Sequence, residues 1–201
     1  MGALAFRRAE ARDVEQAVPL IHSSGPAAFD HAFARAGITA QAFLAHAFVD
    51  GRGMFGHPRH VVGEHEGQVV AAGTGFGGEH NLGNTLTAAR QILRCYGLRA
   101  LPVMIAGLRL ERIVRPPPRD VFYLAHLGVA PGQRGAGFGT QLIEHLLALG
   151  RASGFARAGL DVATTNPRAQ ALYERMGFVV EVERVSTIPG IANHRVMTRA
   201  L

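Results

Sequence analysis

The 201-residue chain is 48% hydrophobic and 18% charged, the make-up of a folded globular protein rather than a disordered one. Its net charge of +6 is carried by arginine alone, since lysine is absent, and the arginines are scattered rather than gathered into the stripe that tracking along nucleic-acid phosphates requires. The positive field still favours an anionic ligand, while the longest apolar run, residues 100–108, is far too short to span a bilayer.

Cys95 is the only cysteine, which excludes an intramolecular disulfide and fits a reducing compartment. The N-terminus lacks a basic-then-apolar leader, and Phe6 stands where a myristoylation pattern on Gly2 would need Ser or Thr. A cytoplasmic protein is the expectation.

In chain order, residues 4–9 read as a short first strand. Asp13 is placed to cap a helix reaching about His22. Residues 26–37 form a second helix, with Pro26 in the first turn and Gly37 as its stop, and Thr39 caps a third, to about Val49. Residues 60–78 read as two strands around a tight turn at Glu66–Gly67. Leu82, Leu86, Ala89, Leu93 and Tyr96 recur at helical spacing, a second helical stretch starts near Pro102, and residues 116–118, three prolines, close this segment. Residues 120–130 are apolar on both faces, as a central strand is. A helix from Gly139 to Ser153 follows, then a strand over 156–164, a helix over 167–176 with Pro167 at its first position, and strands over 177–185 and 194–201. Strand–helix–strand order predicts an α/β protein in one domain, a sheet covered by helices.

The informative junction is GQRGAGFGT, residues 132–140, with four glycines in nine positions between a strand and a helix. Each missing Cβ lets backbone approach a bulky anion. First-turn amides lack intrahelical acceptors and sit at the positive end of the helix dipole. Arg134 adds a cation at the mouth. A plain tight turn is the alternative reading. A dinucleotide fingerprint fits badly, because the spacing is G-x-G-x-G and the loop is late in the chain, although Asp161 falls about 22 residues after Gly139.

Arg134-Gly135-Ala136-Gly137-Phe138-Gly139 after a strand and before an amphipathic helix resembles the acetyl-CoA signature of the GNAT N-acetyltransferase family. A second block, from Asn166 through Ala169 and Tyr173 to Gly177 and Phe178, resembles that family's second motif, and the expected strand separates the two. The resemblance implies one acetyltransferase domain over 1–201. Its sheet would be mixed and mostly antiparallel, with a splayed parallel central pair and helices on both faces. A helical insert at about 79–118, between the third and fourth strands, departs from the usual short connection. The resemblance also implies site roles. Gly135, Ala136, Gly137, Phe138, Gly139 and Thr140 would cradle the pyrophosphate of acetyl-CoA beside Arg134. Leu127 and Val129 would offer backbone groups to the pantetheine arm, with Gly128 between them allowing a bulge or close approach. Asn166 would help hold that arm, and Tyr173 would lie near the thioester sulfur.

The chemistry asks for a neutral amine, a stabilised carbonyl oxygen and a proton for the departing thiolate. An amine of pKa near 10.4 is neutral in only about 1 part in 2,500 at pH 7, and deprotonating it costs about 4.6 kcal/mol. A main-chain N–H near Leu127 suits the carbonyl oxygen, and Tyr173 suits the role of general acid. Strict alternation puts Tyr123, Ala125, Leu127 and Val129 on one strand face and His126 on the other. Tyr123 then faces the acceptor, to position a water or the substrate. His126 has the right pKa range for a base but the wrong parity unless a bulge intervenes. Base candidates therefore stay at Tyr123, His126 or a water chain. His57, His60 and His65 do not make a metal set, because His60 and His65 differ in parity and no thiol or carboxylate completes the site.

In the insert, an apolar stripe alternates with Arg90, Arg94, Arg99, Arg109, Arg112 and Arg115. It reads as a helical pair packed on the sheet edge, or as a lid or dimer surface, and its arginines favour an acceptor bearing a carboxylate or phosphate. The leading expectation is acetyl transfer to a primary amine of a small molecule or peptide, by direct attack in a ternary complex, without a metal. A homodimer is possible. The alternatives are an acyl-CoA sensor without turnover and an acetyltransferase acting on aminoacyl-tRNA.

Overall fold

The computed structural model describes residues 2–78 and 81–201. Residues 79 and 80 of the expected insert, and the side chain of Leu82 in its stripe, lie outside the described part. The elements are β1 (Ala5–Arg8), α1 (Val14–Ser23), α2 (Pro26–Phe33), α3 (Ala40–Asp50), β2 (His60–His65), β3 (Gln68–Gly77), α4 (Asn81–Tyr96), α5 (Ala100–Leu110), β4 (Val121–Val129), α6 (Phe138–Ala152), β5 (Arg157–Ala163), α7 (Pro167–Arg175), β6 (Val179–Arg184) and β7 (His194–Ala200). The strands form one sheet in the order β1-β2-β3-β4-β5-β7-β6. All neighbours are antiparallel except β4 and β5, which are parallel and central. This is the mixed sheet expected, with the helical insert α4–α5 between β3 and β4.

The β2–β3 hairpin turns at Glu66 and Gly67, both at positive φ, where the sequence places it. Thr39 caps α3 by accepting from the Ala42 N–H at 3.1 Å. Asp13 acts differently from expectation. Its carboxylate does not cap α1 but turns back to accept from the Glu10 N–H and to clamp Arg7, at 2.7 Å each. A carboxylate with only 6% of its side chain exposed needs a full charge as partner, and Arg7 on β1 supplies it. The Arg7 guanidinium holds that carboxyl below its usual range.

Helices cover both sheet faces. On one, α6 packs Phe138, Leu142, Ile143, Leu146 and Leu147 against Phe122, Leu124 and Leu160. On the other, α1 and α3 bury Val18, Ile21, Leu44 and Phe48 against Val62 and Ala72. The helices of the insert pack on α2 and α3, while Ile113 beyond them accepts a hydrogen bond from Arg184 of edge strand β6. The insert's Ile92, Tyr96 and Val103 join Ala32, Phe33 and Phe43 of α2 and α3 in a third cluster, and the Tyr96 hydroxyl donates to the Phe33 carbonyl. Its outer side leaves Leu86, Leu93, Leu98, Leu101 and Leu108 exposed. Among the described residues, no helix is long and apolar enough to cross a membrane.

Candidate active site

β4 and β5 pair only at Val121–Arg157, Phe122–Ala158 and Tyr123–Gly159. Beyond Tyr123 the two strands part, although β4 runs to Val129 and β5 to Ala163. On its other edge β4 stays paired to β3, but Ala72 faces Gly128 while Thr74 faces Ala125. Three steps on β4 thus span two on β3, a β-bulge, and His126 takes up the extra length at φ 58°. A left-handed conformation costs a residue with a Cβ about 1–2 kcal/mol.

The bulge overturns the alternation expected along this strand. Tyr123 stands opposite Phe76 and shares its face with Thr74 and His60. Leu127 lies over Gly73, on the face of α6. Tyr123 and Leu127 are therefore on opposite faces, and His126 comes round to the face of Tyr123, stacked on His60 and Phe55.

Backbone groups follow the same logic. The Ala130 N–H donates to the Val70 carbonyl across the β3 edge at 2.8 Å. Alternation then turns the main-chain groups of Val129, and across the bulge those of Leu127, toward the gap left by β5. The Val129 carbonyl accepts from Arg134 Nε at 3.2 Å, which sets that guanidinium at the end of the gap. Gly128 is where β4 touches α1. A Cβ there would sit 2.1 Å from the Leu20 carbonyl oxygen.

The loop after β4 is open and glycine-lined. Gly135 and Gly137 adopt φ of 91° and 87°, and helix α6 begins at Phe138, with Gly139 and Thr140 in its first turn. No side chain caps this helix, so its leading amides keep their capacity to bind an anion. The Arg168 guanidinium lies beside Gly135, 3.7 Å from where a Cβ would be. Sequence reading missed Arg168 because it belongs to the next motif, α7. Thr140 also lines a groove between α6 and α7 that carries Arg151, Arg175 and Arg199. Open left-handed glycines, uncapped amides, two nearby guanidinium groups and a gap between parallel strands fit a diphosphate followed by an extended arm.

Asn166 spends its side-chain oxygen capping α7, accepting from the Ala169 N–H at 3.1 Å. Tyr173, on the same helix, is 9% exposed and packs edge-on against Phe178. Its hydroxyl has no protein partner among the described residues, and burial pushes its pKa up to about 12. Tyr123 is spoken for. Its hydroxyl donates to Asp161 Oδ2 at 2.5 Å, just where β4 and β5 separate. Burial first, then the neighbouring Asp161 carboxylate, holds the Tyr123 hydroxyl well above the ordinary phenol range. Burial also raises the Asp161 carboxyl, against the opposing pull of Tyr123 and of Arg184, whose Nη1 lies 3.5 Å from Oδ1. Asp161 and Arg184 were not found as site residues, because they lie on β5 and β6 and only the assembled sheet brings them near Tyr123.

The three histidines considered for a metal go to three places. His57 donates to the Phe48 carbonyl, His60 bonds His126, and His65 lies against Phe138. His60 is wholly buried and was not expected at the site.

The sequence pattern of the acetyltransferase (GNAT) family matches residues 39–178. Two curated relatives overlap part of the chain. The 5-NmdU N-acetyltransferase of Pseudomonas phage PaMx11 is 41% identical over 66 residues, 33% of this chain and 44% of that protein. The N-alpha-acetyltransferase RimI of Mycobacterium tuberculosis is 36% identical over 86 residues, 41% of this chain and 49% of that protein. The chain thus aligns with about half the length of each. The fold is shared over nearly the whole chain with an N-acetyltransferase from Staphylococcus aureus Mu50, at a TM-score of 0.71 and 17% identity, covering 97% of this chain and all of that one. With the family pattern spanning well over half of the residues, and with the split strands and glycine seat in place, this chain belongs to the GNAT family of acetyltransferases, whose defining ligand is acetyl-CoA.

Proposed function

We propose that this protein is an N-acetyltransferase that moves the acetyl group of acetyl-CoA to a primary amine by direct attack in a ternary complex, within one domain spanning 1–201. The observation that carries the reading is the gap between β4 and β5, which opens beside a bulge and leads to an uncapped, glycine-lined helix start. When bound, acetyl-CoA supplies an activated acyl carbon as its thioester. The chain does the rest. Amides over Gly135–Thr140 bind the diphosphate together with Arg134 and Arg168. Main-chain groups of Leu127 and Val129 align the arm, and an N–H at the bulge stabilises the carbonyl oxygen. Gly128 keeps that strand close to α1. The Asn166 amide nitrogen, left over from capping, reaches the same arm.

Tyr173 is the general acid. At a pKa of about 12 its hydroxyl keeps its proton through the neutral range and can deliver it to the departing sulfur. Tyr123, tied to Asp161, orients the acceptor on the opposite sheet face. The two relatives are named 5-NmdU N-acetyltransferase and N-alpha-acetyltransferase RimI, which supports a nitrogen acceptor here and leaves its class to a screen. A cytoplasmic site of action and a homodimer belong to the same proposal, the second to be read from sedimentation.

The test is calorimetric titration with coenzyme A, followed by thiol release from acetyl-CoA across a panel of amines. The panel holds a hexapeptide with a free N-terminal alanine, agmatine, tyramine and O-phosphoethanolamine. Binding with amine-dependent thiol release supports the enzyme. Binding without release, against a panel widened to aminoacyl-tRNA, turns the reading to a sensor. No binding refutes both.

A further inference from the structure

The His60–His126 pair has a consequence that follows from hydrogen-bond bookkeeping, and it rests on the transferase reading above. His60 Nδ1 lies 3.1 Å from the Gly56 carbonyl oxygen, and His60 Nε2 lies 3.0 Å from His126 Nδ1. A carbonyl oxygen only accepts, so His60 Nδ1 carries a proton. A neutral imidazole has one N–H, so His60 Nε2 is an acceptor. His126 Nδ1 must then be the donor, which leaves His126 Nε2 as a bare lone pair. Among the described residues that nitrogen has no protein hydrogen-bond partner, and the His126 side chain as a whole is only partly buried. The ring is held by stacking on Phe55 and His60 and by Phe29, with centroids 5.4, 5.2 and 5.7 Å away.

We infer that His126 Nε2 accepts the proton of the incoming amine, and that His60 is a positioning residue that locks His126 in the Nδ1–H tautomer. In the step, the N–H bond of the acceptor breaks as its nitrogen bonds to the acyl carbon. The proton passes to His126 Nε2, giving an imidazolium, while the departing sulfur takes a proton from Tyr173. Transfer of protons through water restores both groups. The rival for this role is Asp161, but both of its oxygens are engaged, by Tyr123 and by Arg184. The bulge supports the assignment, since a residue with a side chain is held left-handed at the one position that brings an imidazole to the acceptor face.

Electrostatics agree with a neutral pair. Burial lowers the pKa of His60 to about 4, against the opposing hydrogen bond to the Gly56 carbonyl and with the Arg59 charge adding to the effect. Burial, with His60 as the second cause, holds His126 well below the ordinary histidine range. Besides His60, the rings packed on His126 are Phe29 from α2 and Phe55 from the loop before β2, and Tyr123 and Thr74 share its sheet face.

The test uses the whole chain. Long-range proton–nitrogen correlation on the ¹⁵N-labelled protein at pH 7, assigned with His126→Gln and His60→Phe, reads each tautomer without any acceptor. Both rings should be Nδ1–H in the wild type. In His60→Phe, His126 should lose that fixed tautomer, and in His60→Gln, whose side-chain oxygen can still accept, it should keep it. With whichever panel amine the wild type acetylates, His126→Gln should lower kcat about 10²- to 10⁴-fold with coenzyme A affinity unchanged. The acidic limb of the wild-type rate should lie below pH 6.5. In His60→Phe kcat should fall, because the acceptor that holds His126 in its Nδ1–H tautomer is gone, and His60→Gln should restore most of the rate. An Nε2–H tautomer or an imidazolium at His126 overturns the inference even in an active enzyme. So does an unchanged kcat in His126→Gln. A wild type that binds coenzyme A and acetylates nothing defeats the transferase reading and the proton role together, whereas the tautomer is decided either way.

Discussion

Gly128→Ala tests the geometry around which the active site is built. The added methyl would sit 2.1 Å from the Leu20 carbonyl oxygen and 2.6 Å from its carbonyl carbon. That is more than an ångström short of ordinary contact, and the obstacle is backbone, which cannot rotate away as a side chain would. Either β4 or α1 must move. Overpacking of this kind costs about 1–3 kcal/mol, and a backbone obstacle puts this case near 3. For a chain of this length each kcal/mol lowers Tm by about 2–4 °C, so a fall of roughly 6–12 °C is expected by calorimetry. The displaced strand carries the bulge and the Val129 carbonyl, so coenzyme A binding should weaken alongside. Gly132→Ala is the control, because nothing lies within 4 Å of its Cβ position and its φ is not in the left-handed region. A Gly128→Ala protein melting within about 2 °C of wild type would refute the claim that β4 is pressed against α1.

Tyr173→Phe removes only the hydroxyl and should lower kcat about 10²- to 10⁴-fold with little change in coenzyme A affinity, measured by thiol release under chemistry-limited conditions. Arg134→Gln with Arg168→Gln should weaken coenzyme A about tenfold or more, and added salt should narrow the gap to wild type, as calorimetry at two ionic strengths would show. Asp13→Asn should destabilise the fold at pH 7 by about 2–3 kcal/mol, since Arg7 and the Glu10 N–H lose a buried charge. The Asp13 carboxyl is depressed in the fold, so its stabilisation is present above the unfolded value of 3.8 and is lost as pH falls through the folded value. Melting curves of the two proteins should therefore converge at low pH.

What the residues by themselves determined is local in the chain. The glycine loop before α6, the cap at Thr39, the hairpin at Glu66–Gly67 and the Asn166–Phe178 block each depend on neighbours a few positions away, where backbone freedom, capping and helical spacing can be read directly. Asp13 shows how far that goes. The right side chain stood at the helix start, but a buried carboxylate found its charge partner on β1, 6 residues away in sequence, instead of capping α1. Which side chains share a sheet face was decided only by tertiary structure. Face assignment has a period of two, so one extra residue on β4 put His126 on the same sheet face as Tyr123 and separated Tyr123 from Leu127. His60 and Asp161 joined them from β2 and β5, 66 and 38 residues from the partners they bond. No pattern within β4 announces its bulge, because the bulge is a mismatch in length between two strands and exists only once they are paired.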